Sequence, residues 1–158
     1  MSEPGDLSRA EFYQLIRGQI EHEDETVNQR VMWQIISQAF FFGAYASLLN
    51  APPQAKDAVV DALRHLLVWG VPIAALLAGA ITYSSILASL RTMAYLRRLY
   101  ENYAMAKRND DPSSKLYPDI HGPASVRGWA LVSPIAMPLV FMVTWLMVLV
   151  TVLIVSLS

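Results

Sequence analysis

The densest run of chemistry-bearing side chains is Glu21-His22-Glu23-Asp24-Glu25. On a helix Glu21 and Glu25 share a face with His22 beside them, which is half of a divalent-metal site. Zinc and iron sites of this kind recruit paired ligands from two elements, and no matching Glu-x-x-His occurs elsewhere. The run therefore reads as a solvated helix face, and no metal is expected. Asp110, Asp111, Asp119 and His121 read as turn formers, and His65 as an interfacial side chain. The chain has no cysteine, which removes thiol nucleophiles, thiolate metal sites and disulfides. Phosphate loops, nucleophile elbows, paired-histidine metalloprotease motifs and dinucleotide fingerprints do not occur either. The chain reads as a non-enzyme that carries no cofactor.

A second set of polar residues is more orderly. Arg30, Gln34 and Gln38 recur every four residues, and Thr82, Ser85, Ser89 and Thr92 recur every three or four, so each set is one stripe on a helix. Both stripes lie in or beside apolar stretches. There a glutamine or hydroxyl serves as a hydrogen bond between helices or lines a water-filled path. Matching the two stripes by depth pairs Gln34 and Gln38 with Ser85 and Ser89. The same matching brings Glu23, an acid on an apolar helix stripe, level with Arg97 and Arg98. A cytoplasmic ion pair would offset its burial. The alternative is that Glu23 reaches water while Arg97 and Arg98 bind anionic lipid headgroups.

The elements that carry these stripes are helices for a bilayer. The 158 residues are 54% hydrophobic with mean hydropathy +0.35, above the ~45–50% of soluble domains. Val31 to Ala55, His65 to Leu90 and Gly128 to Ser158 contain no Asp, Glu, Lys or Arg. Each run is long enough to cross a hydrocarbon core of ~30 Å. The expected fold is all-α: an integral membrane protein of three transmembrane helices, with cytoplasmic helical extensions of the first two. Residues 1–30 form a cytoplasmic amphipathic helix, started by a Ser8/Glu11 capping box, and 31–50 the first span. Residues 51–70 form an external loop with a short interfacial helix, before a second span over 71–90 opened by Pro72; a continuous, kinked helix from Asp57 would give the same pattern. Residues 91–108 extend that span into the cytoplasm, 109–128 are a linker, and 129–157 form the third span. That last helix is apolar all round and is assigned the most lipid-facing place.

Met93, Leu96, Tyr100 and Tyr103 keep a heptad-like seam, expected to pack against Phe12, Ile16 and Ile20. Ala39, Gly43 and Ser47 form a small-residue row on the first span, and Ala75 and Gly79 lie on the small face of the second. Such rows let membrane helices approach closely. Basic residues set the orientation. Arg91, Arg97, Arg98, Lys107, Arg108, Lys115 and Arg127 fall in the second loop, against Lys56 and Arg64 in the first. The N-terminus is therefore expected in the cytoplasm and the C-terminus outside. A net charge of −1 gives nucleic-acid binding no electrostatic support.

Between Glu25 and Tyr45 the chain resembles a loose set of small bacterial inner-membrane proteins. The likeness rests on Asn28-x-Arg30-x-x-Trp33, then Gln38-Ala39-Phe40 and Ala44-Tyr45. In architecture it is also similar to the SLATT-type membrane effector modules, although it has a third span and no sensor domain. The resemblance implies a bacterial inner (plasma) membrane location and carries no functional residue across. Taken together, the sequence describes a small homo-oligomeric membrane protein with a structural or scaffolding role. One alternative is an oligomeric ion channel or pore-forming effector, lined by Gln34, Gln38, Thr82, Ser85 and Ser89. Another is an accessory subunit of a larger membrane complex.

Overall fold

The computed structural model describes residues 9–52, 58–110 and 124–158, with side chains described over 10–52, 58–105 and 134–158. These residues form three helices and no strand: α1 (Arg9–Asn50), α2 (Ala58–Asp110) and α3 (Ala124–Leu157). The capping Ser8, and Lys56, Asp111, Lys115, Asp119 and His121, lie outside the described residues.

Helix α1 is continuous, as the absence of a breaker between Arg9 and Asn50 allows. Its exposed first part is laced by Arg17, which donates to Glu21 at 2.8 Å and to the Tyr13 hydroxyl at 3.0 Å. Glu21 first, and Tyr13 second, raise the Arg17 pKa above its ordinary value. At the other end Asn50 donates back to the Ala46 carbonyl at 2.9 Å.

Helix α2 departs from the expected division of the chain. The segment before Gly70 is not a separate interfacial helix. It belongs to one 53-residue helix that runs through Pro72 without a break. Pro72 lacks an N–H and crowds the preceding turn, which a lone helix tolerates poorly. Here its ring is fully buried, and neighbouring helices stabilise such positions in membrane-type helices. Pro138 of α3 is buried in the same way. Helix α3 begins at Ala124, earlier than the 129 expected.

Helix α2 is the centre of the bundle and packs against both others, while α1 and α3 meet over a smaller area. Three apolar clusters follow the axis. At one end Ile16, Leu96 and Tyr100 pack together, flanked by Phe12, Tyr13 and Ile20. Phe12 lies 4.2 Å from Tyr103, centroid to centroid, so the expected seam between the two extensions is formed. In the middle are Val27, Ile86 and Met93, and beyond them Tyr45, Ala75 and Trp145.

Two helices are long and apolar enough to cross a membrane. They are Ala58–Met105, whose most apolar window has mean hydropathy 1.9, and Pro134–Leu157, at 2.7. Helix α1 does not reach that measure. Gln34 and Gln38 lie in its apolar half, and both are turned inward and buried.

Candidate functional site: a buried polar ladder

Arg30, Gln34 and Gln38 lie on one line of α1, and each reaches another helix. Arg30 Nη1 donates to the Ser85 carbonyl at 2.9 Å and to Ser89 Oγ at 2.5 Å. Gln34 Oε1 accepts from the Thr82 hydroxyl at 2.8 Å. Gln38 Nε2 donates to the Ala75 carbonyl at 3.1 Å. The far side of that amide is also engaged, since Trp145 Nε1 donates to Gln38 Oε1 at 2.6 Å. Gln38 thus joins all three helices through one side chain, and it is 0% exposed.

Aromatic packing closes the site. The Trp145 ring stacks on Phe42 at 4.5 Å and meets Tyr45 edge-on at 5.6 Å, geometries that favour aromatic pairs beyond their area alone. Trp145 is wholly buried. Sequence reasoning missed it, because α3 reads as greasy on every side. A signal was present. Tryptophan in membrane helices prefers the interfaces, its N–H seeks a partner when buried, and Trp145 sits mid-helix. That combination asks for an acceptor on another helix.

The two polar stripes do meet, but out of the expected register by more than one helical turn. Matching by depth paired the glutamines with Ser85 and Ser89. Instead Arg30 takes both of those positions, Gln34 takes Thr82 and Gln38 takes Ala75. Arginine has a longer reach than glutamine and seeks acceptors for several donors. Relative to the depth matching, α1 is slid along α2 by more than one turn, roughly 8 Å. The slide has a second effect. Ile16 packs with Leu96 and Tyr100, so Glu23, seven residues nearer the middle of the bundle in this antiparallel pair, falls short of the level of Arg97 and Arg98. Arg17 and Glu21 form an ion pair within α1, and among the described residues the expected Glu23 pair with Arg97 or Arg98 is not made. Arg97 is half-buried, and its Nε is enclosed without a hydrogen-bond partner.

The small residues divide in two. Ala75 is 1% exposed and Gly79 is buried, both inside the bundle. A Cβ on Gly79 would stand 2.8 Å from Met142 Cγ and 3.5 Å from Gln34 Nε2. The absence of a side chain there is what lets α3 and Gln34 come close. Ala39, Gly43 and Ser47 face outward, and a Cβ on Gly43 would meet nothing within 4 Å. Gln34 Nε2 is buried without a partner. Among the described residues no group of three His, Asp or Glu side chains gathers as a metal site would require.

No family model matches the chain, and no curated protein or solved structure matches it.

Proposed function

We propose that this chain is a three-span membrane protein of structural or scaffolding kind. In this reading copies associate through the outward row Ala39, Gly43 and Ser47. One observation carries the membrane part: the polarity of the bundle is inverted. Gln34, Gln38 and Ser89 are buried, whereas Phe40, Leu77, Ile81, Leu146, Ile154 and Val155 are exposed. The core helix of a soluble protein would be mostly buried, but the apolar windows of α2 and α3 are 17% and 6% buried. Exposed hydroxyls agree with an apolar surrounding. Ser47, Ser84 and Thr151 each bond a carbonyl of their own helix at 2.8–2.9 Å, satisfying themselves without water.

Helix α1 spans despite its lower hydropathy because its polar groups are satisfied inside the bundle rather than shown to lipid. The outward small-residue row then offers a second copy a close approach, which packing forces in lipid favour. A conducting path lined by Gln34 and Gln38 has less support. Both side chains are enclosed between the helices of one chain and engaged there. The cytoplasmic placing of the extensions rests on the distribution of arginine and lysine, and the inner-membrane setting on the resemblance described above.

Native mass spectrometry from lipid nanodiscs tests the proposal. A homo-oligomer is expected for the parent chain, and a shift toward the single chain for Gly43→Leu, with thermal stability in detergent retained. A parent that is monomeric throughout overturns the self-association. A particle that carries a different chain favours the accessory-subunit reading instead.

A further inference from the structure

At the end of the bundle away from the aromatic seam, α1, α2 and α3 leave a groove of about 1000 Å³ between them. The groove is built in two parts. Its walls are Val68 of α2 and Val148, Val152 and Val155 of α3, with Tyr45 and Thr144 at the inner end. Its outer rim is polar: Asp61, Arg64 and His65 from the first turns of α2, and Ser156 from the end of α3.

We propose that this groove holds one aminophospholipid of the outer leaflet, with an acyl chain along α3 and the headgroup on the Asp61–Arg64–His65 rim. The inference rests on the membrane reading above. Three features on the molecule argue for this occupant. The first is length. From Thr144 to Ser156 the helix rises ~18 Å, close to one leaflet of a hydrocarbon core ~30 Å thick. The second is the order of polarity, apolar within the span and charged only at its mouth, which is the order of a lipid. The volume lies at the top of the ~300–1,000 Å³ range of small-molecule pockets, and a compact polar metabolite would leave the valine wall unoccupied.

The third feature is charge. Arg64 and His65 offer donors to a phosphate, and guanidinium binds phosphate well. Asp61, one turn away on the same helix, offers a carboxylate to an ammonium. A headgroup that carries both a phosphate and a primary amine satisfies the whole rim. A phosphatidylglycerol headgroup has no cation for Asp61, and the quaternary ammonium of phosphatidylcholine cannot donate a hydrogen bond to it. Arg64 is positioned for this by its own bond, Nη2 to the Ala51 carbonyl at 3.3 Å, which ties the rim to the end of α1.

The test uses the full chain, purified in detergent with equimolar phosphatidylethanolamine, phosphatidylcholine and phosphatidylglycerol. Retained lipids are counted by native mass spectrometry and identified after extraction. One phosphatidylethanolamine per chain is expected. Val152→Trp, which fills the groove, should lose it, while Val140→Trp, on exposed α3 surface outside the groove, should keep it. Asp61→Asn should reduce the preference for phosphatidylethanolamine over phosphatidylglycerol by about fivefold, the upper end for a partly exposed ion pair. Asp61 is exposed, so that variant keeps the fold. Equal retention of the three lipids, or retention unchanged in Val152→Trp, overturns the proposal. A carbonate wash of the membranes separates it from its premise. If the parent chain washes off, the membrane reading falls. If it stays in the membrane but holds no phosphatidylethanolamine, only the groove assignment falls.

Discussion

Gln38 concentrates more of the bundle in one side chain than any other described polar residue, because both ends of its amide are engaged by different helices. Gln38→Leu would leave the Trp145 N–H buried without an acceptor, a loss of about 1–3 kcal/mol. The expected result is a clear fall in the melting temperature measured in detergent. Gln34→Leu should cost less, under about 1 kcal/mol, although the residue is nearly as buried. Its Nε2 is already unpartnered, and the Thr82 hydroxyl can turn to a carbonyl of its own helix. If the two variants melt alike, hydrogen bonding is not what distinguishes them. The stripe itself was legible in the sequence, since a spacing of four on an apolar helix can only mean one face. Its partners were not. A backbone carbonyl such as that of Ala75 has no signature in sequence, and Trp145 looked like one more apolar residue of α3.

Helices pack here by alternately removing and supplying bulk. Gly79→Ala would set a methyl against Met142 Cγ, which is near the root of its side chain and must change rotamer. The gain in helix propensity, up to ~1 kcal/mol, should be cancelled or reversed. Gly43→Ala meets open space within one chain and should keep that gain. Measured by unfolding in detergent at a dilution where single chains dominate, the first variant should therefore be the less stable. Breakers were an uneven guide to the helices: α1 stops at Asn50 where Pro52 and Pro53 follow, whereas Pro72 lies inside an unbroken α2. The relative slide of α1 and α2 was not readable, because where an apolar stretch begins does not say which side chains meet across two helices. Glu23 was misplaced by the same slide. A double-mutant cycle on Glu23→Gln and Arg97→Gln should accordingly be additive within about 0.3–0.5 kcal/mol. A larger coupling would restore the ion pair.

For the molecule as a whole, the three-span reading makes a topological forecast. A reporter active only in the cytoplasm should give signal when fused after residue 115 and none when fused after residue 158. Signal at both positions removes one crossing and with it the proposed arrangement. Alkaline phosphatase fusions, active only outside, should give the reverse pattern. The unbroken course of α1 and α2 has a mechanical consequence. Residues 9–30 continue the first helix for ~33 Å past its apolar half, and the aromatic seam clasps them to the end of α2. Helix stiffness makes this pair a lever whose fulcrum lies where it leaves the apolar part of the bundle, and the Arg30 bonds to Ser85 and Ser89 hold its two arms together there. Spans tilt when bilayer thickness departs from their apolar length. On the proposed membrane reading, a tilt of ~10° would carry the far tip sideways by ~6 Å over the same ~33 Å, so a small change in the lipid would become a displacement large enough to make or break a contact at that end of the molecule.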